Sequence, residues 1–392
     1  MLTGLLAAFV GHGLWLACVA EDAYISFRFA RNLASGLGLV WNPGEAPVEG
    51  FTNLLWVLLA ALAERLHLDV PRTMQALGLL AGIGVLWLTD RFAARLLGLR
   101  GLPRLFPTLL LAASGPLAAW ASSGLETVLF TLLALAALLR LETWQGFGER
   151  RDLWLGWLAV ALAVLTRPEG GLLAAVALWP SLHRPELRKA GVRAVGAFAL
   201  FGAALTLFRL AYFGAPVPNT FYAKTGGGEA QIVRGMIYVG FFAFHFLLPL
   251  LPWAFLGRGV QASREGISRE GNGSSRAPGR PAVASLALWS CAYALYVAAV
   301  GGDYMAMDRF LVPILPMLYL LAGFAARSLG PASSPILRRW AAISALIAVA
   351  GTFVHSTPFE KDLFAKAPRQ HGTFRGVETE RWHVARLSLL AE

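Results

Sequence analysis

Charge is what this chain has least of. Only 15% of its 392 residues are Asp, Glu, Lys or Arg, against 57% hydrophobic residues. A soluble chain carries about a quarter of charged residues, so the shortage excludes an ordinary soluble globular domain. Segments of alternating polar and apolar residues are missing too, which excludes a membrane β-barrel. Cysteine is nearly absent. Cys18 and Cys291 both lie in apolar segments, which reads as core packing rather than a disulfide or metal site. No P-loop, nucleophile elbow or dinucleotide fingerprint occurs in its required context. No metal motif stands out, since His12, His245 and His355 are separated singletons. No internal repeat is found, which weighs against an inverted-repeat transporter.

What is abundant is long apolar runs. They predict an all-α polytopic membrane protein, because helices and closed barrels alone satisfy their backbone in lipid. Eleven spans are expected, at about 1–20, 74–94, 104–121, 125–141, 153–166, 169–182, 193–213, 235–257, 282–300, 310–326 and 338–354. Residues 1–20 could pass for a signal peptide, but no basic residue precedes the run and further spans follow. Segments 153–166 and 169–182 are short for a bilayer of roughly 30 Å and are expected to enter and leave as a pair. The run 53–66 ends in Glu64 and Arg65 and is expected to lie in the interface.

The net charge of +11 would suggest nucleic acid for a soluble protein. Here the basic residues crowd alternate loops instead, so no nucleic-acid partner is expected. Loops 91–104, 140–152, 183–193, 257–281 and 327–339 hold nineteen Lys and Arg, against eight in the other set. The positive-inside rule puts the rich set in the cytoplasm, and with it the N-terminus. Loop 258–281 is rich in Gly, Ser and Arg, as a flexible connector is. Its Asn272 sequon lies on the wrong side for glycosylation.

The opposite loops differ in kind. They read EDAYISFRFARN, WNPGEAPVEGFTN, SSGLE, TRPEG, PVPNTFYAKTGGG and GGDYMAMDRF. Acids, bases, Asn and aromatics mix there with Gly and Pro on one face, as in a built site. Asp22, beside Glu21, suits either a helix cap or a general base. Tyr24, Arg28, Arg31 and Ser35 share one face of the helix that follows; Phe27, Ala30 and Ala34 share another. Arg167 and Glu169 suit a turn with an ion pair, or Arg167 binds phosphate. Lys224 before Gly226–Gly228 is a candidate phosphate ligand. Asp303 is a candidate for sugar hydroxyls. Arg309 suits phosphate binding or, with Asp308, an interfacial anchor. Arg209 suits snorkelling, and Glu126 suits the dipole of the helix it opens.

Taken together, EDAYISFRFARNLASGLGLVWNPGEAPVEGFTN, TRPEG, PNTFYAKTG and GGDYMAMDRFLVPILP resemble the terminal arabinofuranosyltransferases and their bacterial relatives, within the GT-C membrane glycosyltransferases. The resemblance implies a GT-C type helical bundle, expected over 1–354, with interfacial helices in an outer loop 20–73; where relatives often carry a sizeable outer domain, a short extracytoplasmic tail 355–392 is expected. It implies transfer of a sugar from a polyprenyl-phosphate donor to a glycan or lipid acceptor, in a lipid bilayer, at the outer face. It implies Asp22 as a member of a catalytic carboxylate pair, with Glu21 beside it where the family typically has a second Asp. It implies Arg167, Lys224 and Arg309 as donor-phosphate ligands. The motif residues Arg28, Glu169, Asn219, Tyr222 and Asp303 are the candidates for sugar and acceptor. No cofactor is required from the sequence, and a divalent metal beside Asp22 stays open without a motif to support it. A transporter or flippase of a lipid-linked sugar is the alternative. It would need polar residues at mid-membrane depth, whereas this chain concentrates them on one face.

Overall fold

The structure is a computed structural model that describes residues 1–183, 185–224, 228–244, 280–303, 305, 308–327 and 335–350. Most of loop 258–281 and all of tail 355–392 lie outside these, as do His245 and Asn272. Among the described residues there are helices and no strands. The helices are α1 (Leu2–Trp15), α2 (Ala23–Ala34), α3 (Leu54–Arg65), α4 (Val70–Arg95), α5 (Gly101–Ala113), α6 (Gly115–Ala121), α7 (Thr127–Phe147) and α8 (Arg150–Thr166). They continue with α9 (Gly171–His183), α10 (Pro185–Phe213), α11 (Asn219–Lys224), α12 (Gly228–Phe242), α13 (Arg280–Ala299), α14 (Leu315–Ala326) and α15 (Pro335–Ala350).

Among the described residues four helices, α4, α7, α10 and α13, are long and apolar enough to cross a membrane, or five spans if the bent pair α5–α6 counts as one. The single span expected over 104–121 is broken. Its two halves meet at 60° because Ser114 is extended (ψ 110°) and its hydroxyl accepts the Leu117 N–H. Pro116 follows in the first turn of α6, where its missing N–H costs nothing. Segment 53–66 forms the 12-residue α3, too short to span, and packs on α2. Helix α2 is amphipathic as expected. It buries Ala23, Phe27 and Ala30 and exposes Tyr24, Arg28 and Arg31.

Helix α7 is the hub, packed against α4, α8, α9 and α13. Its Phe130 meets Trp289 and Tyr293 of α13, and all three are fully buried. Helix α10 is the opposite case. Leu200 and Leu207 are 73% and 65% exposed, as expected where lipid is the solvent. The same reasoning corrects one expectation about cysteine. Cys18 is buried, but Cys291 is exposed on α13, because an apolar helix in a bilayer keeps apolar residues on its outer face as well.

Charge sits in two layers. Asp90–Arg104 and Arg140–Asp152 pair near the C-terminal ends of α4 and α7. Glu126, at the start of α7, lies fourteen residues before Arg140, or about 21 Å along the helix. The motif loops gather at the Glu126 end. Three turns place them there. Gly301 and Gly302 take left-handed backbone (φ 88° and 70°) beyond α13. Trp56 Nε1–H donates to the Gly124 carbonyl at 2.8 Å, and Ala20 N–H to the Ser123 carbonyl at 2.9 Å. The third turn is Pro168–Gly170, which reverses α8 into α9. A Cβ on Gly170 would lie 2.7 Å from backbone atoms of Ala163 and Val164. Gly170→Ala is therefore expected to destabilise the fold by about 1–3 kcal/mol through overpacking against atoms that cannot move aside. Thermal unfolding of the purified protein checks this, and an unchanged midpoint would refute the tight packing.

Candidate active site

The site is built around two buried arginines. Arg309 follows Asp308, whose φ of 46° is a left-handed conformation that Asp tolerates better than most residues. The Asp308 carbonyl accepts N–H groups of Leu311 and Val312 at 2.8 and 3.1 Å, which starts the turn into α14. Arg309 then donates from Nε to Asp303 Oδ2 at 2.6 Å and from Nη2 to Oδ1 at 3.3 Å. Its Nη1 reaches Asp22 Oδ2 at 3.3 Å. One guanidinium therefore joins the loop before α2 to the loop after α13.

Arg167 occupies the second position. Its extended backbone (φ −155°, ψ 132°) is what a following proline demands. Nε donates to Glu169 Oε1 at 2.6 Å, and Nη1 reaches Glu126 Oε1 at 3.5 Å. Asn53 Nδ2–H donates to Glu126 Oε2 at 2.9 Å and also to Ser26 Oγ at 3.0 Å. The hydroxyls of Tyr293 and Tyr296 approach Glu169 at 3.5 Å each. The ring of Phe310 lies 4.8 Å from Arg167 Cζ and 5.1 Å from Arg309 Cζ, within cation–π range of both.

Burial works against both positive charges, and the surrounding acids outweigh it. Glu169 first, then Tyr293 and Glu126, hold the Arg167 guanidinium above its ordinary range. Asp303 and then Asp22 do the same for Arg309. Both stay cationic at any accessible pH.

The carboxyls are not equivalent. The side chains of Asp303, Glu169 and Glu126 are 2%, 5% and 11% exposed, against 31% for Asp22. Asp22 is the most exposed of these paired acids. It occupies the N-cap position of α2 without a side-chain cap bond, so capping does not account for it. Glu21 beside it is exposed.

The expected residues therefore divide. Asp22, Arg167, Glu169, Asp303 and Arg309 form one connected cluster. Arg28 is placed elsewhere. It donates to the Trp41 carbonyl at 2.9 Å and to Asn42 Oδ1 at 2.7 Å, and stacks on Trp41, closing the first loop. Asn219 opens α11, and its N–H donates to the Glu49 carbonyl at 3.0 Å. Tyr222 is exposed against Phe221. Lys224 ends α11, and its side chain lies outside the described residues. Glu126, Asn53 and Ser26 join the cluster unannounced. The available signal was that SSGLE and EGFTN share a face with the other motifs, while a helix dipole explained Glu126 locally. Arg209, which snorkelling would have explained, is instead paired with Glu49.

Comparison with known proteins follows from this geometry. No family model matches the chain. It is 31% identical over 339 residues to a terminal β-(1→2)-arabinofuranosyltransferase of Mycobacterium tuberculosis, an alignment covering 80% of this chain and 53% of that protein. It is 27% identical over 397 residues to the protein of the same name from Corynebacterium glutamicum, covering 93% and 54%. The chain thus spans about half the length of these relatives. ArnT from Cupriavidus metallidurans, solved bound to undecaprenyl phosphate, superposes with a TM-score of 0.59 at 17% identity, covering 100% of this chain and 72% of that one. Its apo form gives 0.58 at 16% identity, covering 98% and 72%. The chain has the ArnT fold and is an integral membrane protein, and the sequence resemblance read from its motifs stands. Arg309→Met would leave Asp303 buried without its cation and is expected to cost about 3–5 kcal/mol of stability. Arg309→Lys is expected to recover part of this, since an ammonium cannot bridge two carboxylates as a guanidinium does. Chemical unfolding of the three proteins measures the order.

Proposed function

We propose that this chain is a membrane glycosyltransferase that moves a sugar from a polyprenyl-phosphate donor to a hydroxyl of a cell-envelope glycan or lipid. The observation that carries the proposal is the partly exposed Asp22 carboxylate set against the permanently charged Arg309 guanidinium, with the ring of Phe310 between Arg309 and a second one, Arg167. The names of the sequence relatives make arabinofuranose the first sugar to test. The undecaprenyl phosphate in the ArnT structure supports a polyprenyl-phosphate donor.

The chemistry follows from the side chains. The acceptor oxygen attacks the anomeric carbon, the bond from that carbon to the phosphate oxygen breaks, and its electron pair leaves with the phosphate. Asp22 takes the proton of the attacking hydroxyl. Glu21 stands next to it as a second acid. Arg309 Nη1, held to Asp22 by a contact of 3.3 Å, is the donor that a phosphate oxygen would take over. Arg167 and Lys224 add positive charge as the phosphate departs. Asp303 and Glu169 orient the two arginines, and Asn219 and Tyr222 are the candidates for sugar and acceptor, while Arg28 holds the first loop. The step uses proton transfer and charge stabilisation and calls on no cofactor.

The loop charges support an outer location for the site and a cytoplasmic N-terminus. In this reading about eleven transmembrane helices fill 1–354. Residues 20–73 form the outer loop, 258–281 a cytoplasmic loop, and 355–392 an outer tail.

Incubation of the purified protein with a panel of polyprenyl-phosphate sugars and envelope glycans tests the proposal. A glycosidic product with one donor is expected, and translocation of donor across vesicles without product would overturn it. Asp22→Asn is expected to lower kcat by about 10²–10⁴-fold while leaving the unfolding midpoint near that of the parent. Near-normal turnover by this variant would remove Asp22 from the role of base.

A further inference from the structure

A second buried ion pair lies outside the Arg167–Arg309 cluster. Arg209, in the last turns of α10, donates from Nε to both carboxylate oxygens of Glu49, at 3.1 and 2.9 Å, and from Nη2 to Oε1 at 3.1 Å. The side chains are 11% and 3% exposed. Burial pushes the Glu49 carboxyl above its ordinary range, while the hydrogen bonds and charge of Arg209 pull it back.

Glu49 also acts through its backbone. Its carbonyl accepts the N–H of Asn219, the first residue of α11. The surrounding contacts run the same way. Leu39 N–H donates to the Tyr212 hydroxyl at 2.8 Å, and Phe51 meets Phe213 edge-on at 6.3 Å. Tyr212 and Phe213 lie about one turn beyond Arg209. Four residues after Glu49 comes Asn53, which binds Glu126, itself a partner of Arg167. One short segment, Glu49 to Asn53, therefore touches the arginine cluster at one end and the α10–α11 connection at the other.

We infer that Glu49 and Arg209 are positioning residues that hold the Asn219–Lys224 helix in register with the Asp22 cluster, and so set the affinity for the polyprenyl-phosphate donor. The inference rests on the proposed function, because it assigns α11 to the donor. The pair does not touch the reacting atoms. A bidentate guanidinium–carboxylate pair suits this task, because two parallel hydrogen bonds fix orientation as well as distance. The backbone bond to Asn219 then transmits that orientation across a single peptide.

The test uses the full-length protein in nanodiscs, with polyprenyl phosphate as the binding probe and the polyprenyl-phosphate sugar as substrate. Glu49→Gln is expected to raise the Kd for polyprenyl phosphate and the KM for the donor about tenfold, with kcat changed less than twofold. The charge-reversed double variant Glu49→Arg with Arg209→Glu is expected to recover most of that loss. Lys224→Ala is expected to weaken binding in the parent and to add little in the Glu49→Gln background, since neighbours acting through one element are not additive. A lowered unfolding midpoint with unchanged Kd and KM would reduce the pair to a structural role and overturn the inference, as would full additivity with Lys224→Ala. Should the parent itself fail to bind polyprenyl phosphate, the proposed function falls instead. If Glu49→Gln does not fold, Arg209→Lys, which keeps the charge and loses the fork, carries the same KM test.

Discussion

Two guanidiniums buried at one end of an apolar bundle set the terms for everything around them. Removing a cation from water costs several kcal/mol unless acids and hydrogen bonds replace the solvent. Arg309 meets this with Asp303 and Asp22, and Arg167 with Glu169 and Glu126. Each acid comes from a different loop or helix end, so satisfying the arginines also assembles the loops. Asn53 donates to the second carboxylate oxygen of Glu126 and also bonds Ser26, which ties α2 and α3 into the same network. The arrangement leaves one carboxylate, Asp22, partly open.

The same constraint explains the architecture of the loop after α2. A long loop at a bilayer surface has few apolar partners of its own. Residues 35–53 solve this by docking on fixed elements. Arg28 fastens Trp41 and Asn42, Tyr212 fastens Leu39, and Arg209 fastens Glu49. Phe29 and Phe51 pack between them at 4.7 Å. The loop thereby becomes a rigid wall beside the cluster, built from side chains that local reasoning would have assigned to solvent or to the interface.

Much of this was legible in the order of residues. Apolar runs of some twenty residues can only be helices in lipid, and α4, α7 and α13 fall where those runs lie. Pro168 announced the end of α8 one residue in advance. The basic loops sorted the polar motifs onto one face before any contact was known. The break at Ser114 was less legible, because Ser and Pro in an apolar run are also common within membrane helices, and only the Ser114–Leu117 hydrogen bond shows the bend. Glu126 was explicable by its own helix dipole, and that local account hid its bonds to Asn53 and Arg167. Arg209 was hidden in the same way by its place near a helix end.

The sequence by itself determined the helical membrane class, the gathering of the polar residues on one face, and the identity of Asp22, Arg167, Glu169, Asp303 and Arg309 as candidates. These follow from composition, from period and from the small set of residues able to carry charge into an apolar chain. The Arg167–Glu169 pair was legible in the TRPEG turn, but which acids answer Arg309 was decided by tertiary structure. Asp22 and Arg309 are separated by 287 positions, and no local pattern constrains a contact so distant. The exposure that distinguishes Asp22 from Asp303 is likewise a property of the assembled end of the bundle, because it depends on which neighbouring helices cover each carboxylate.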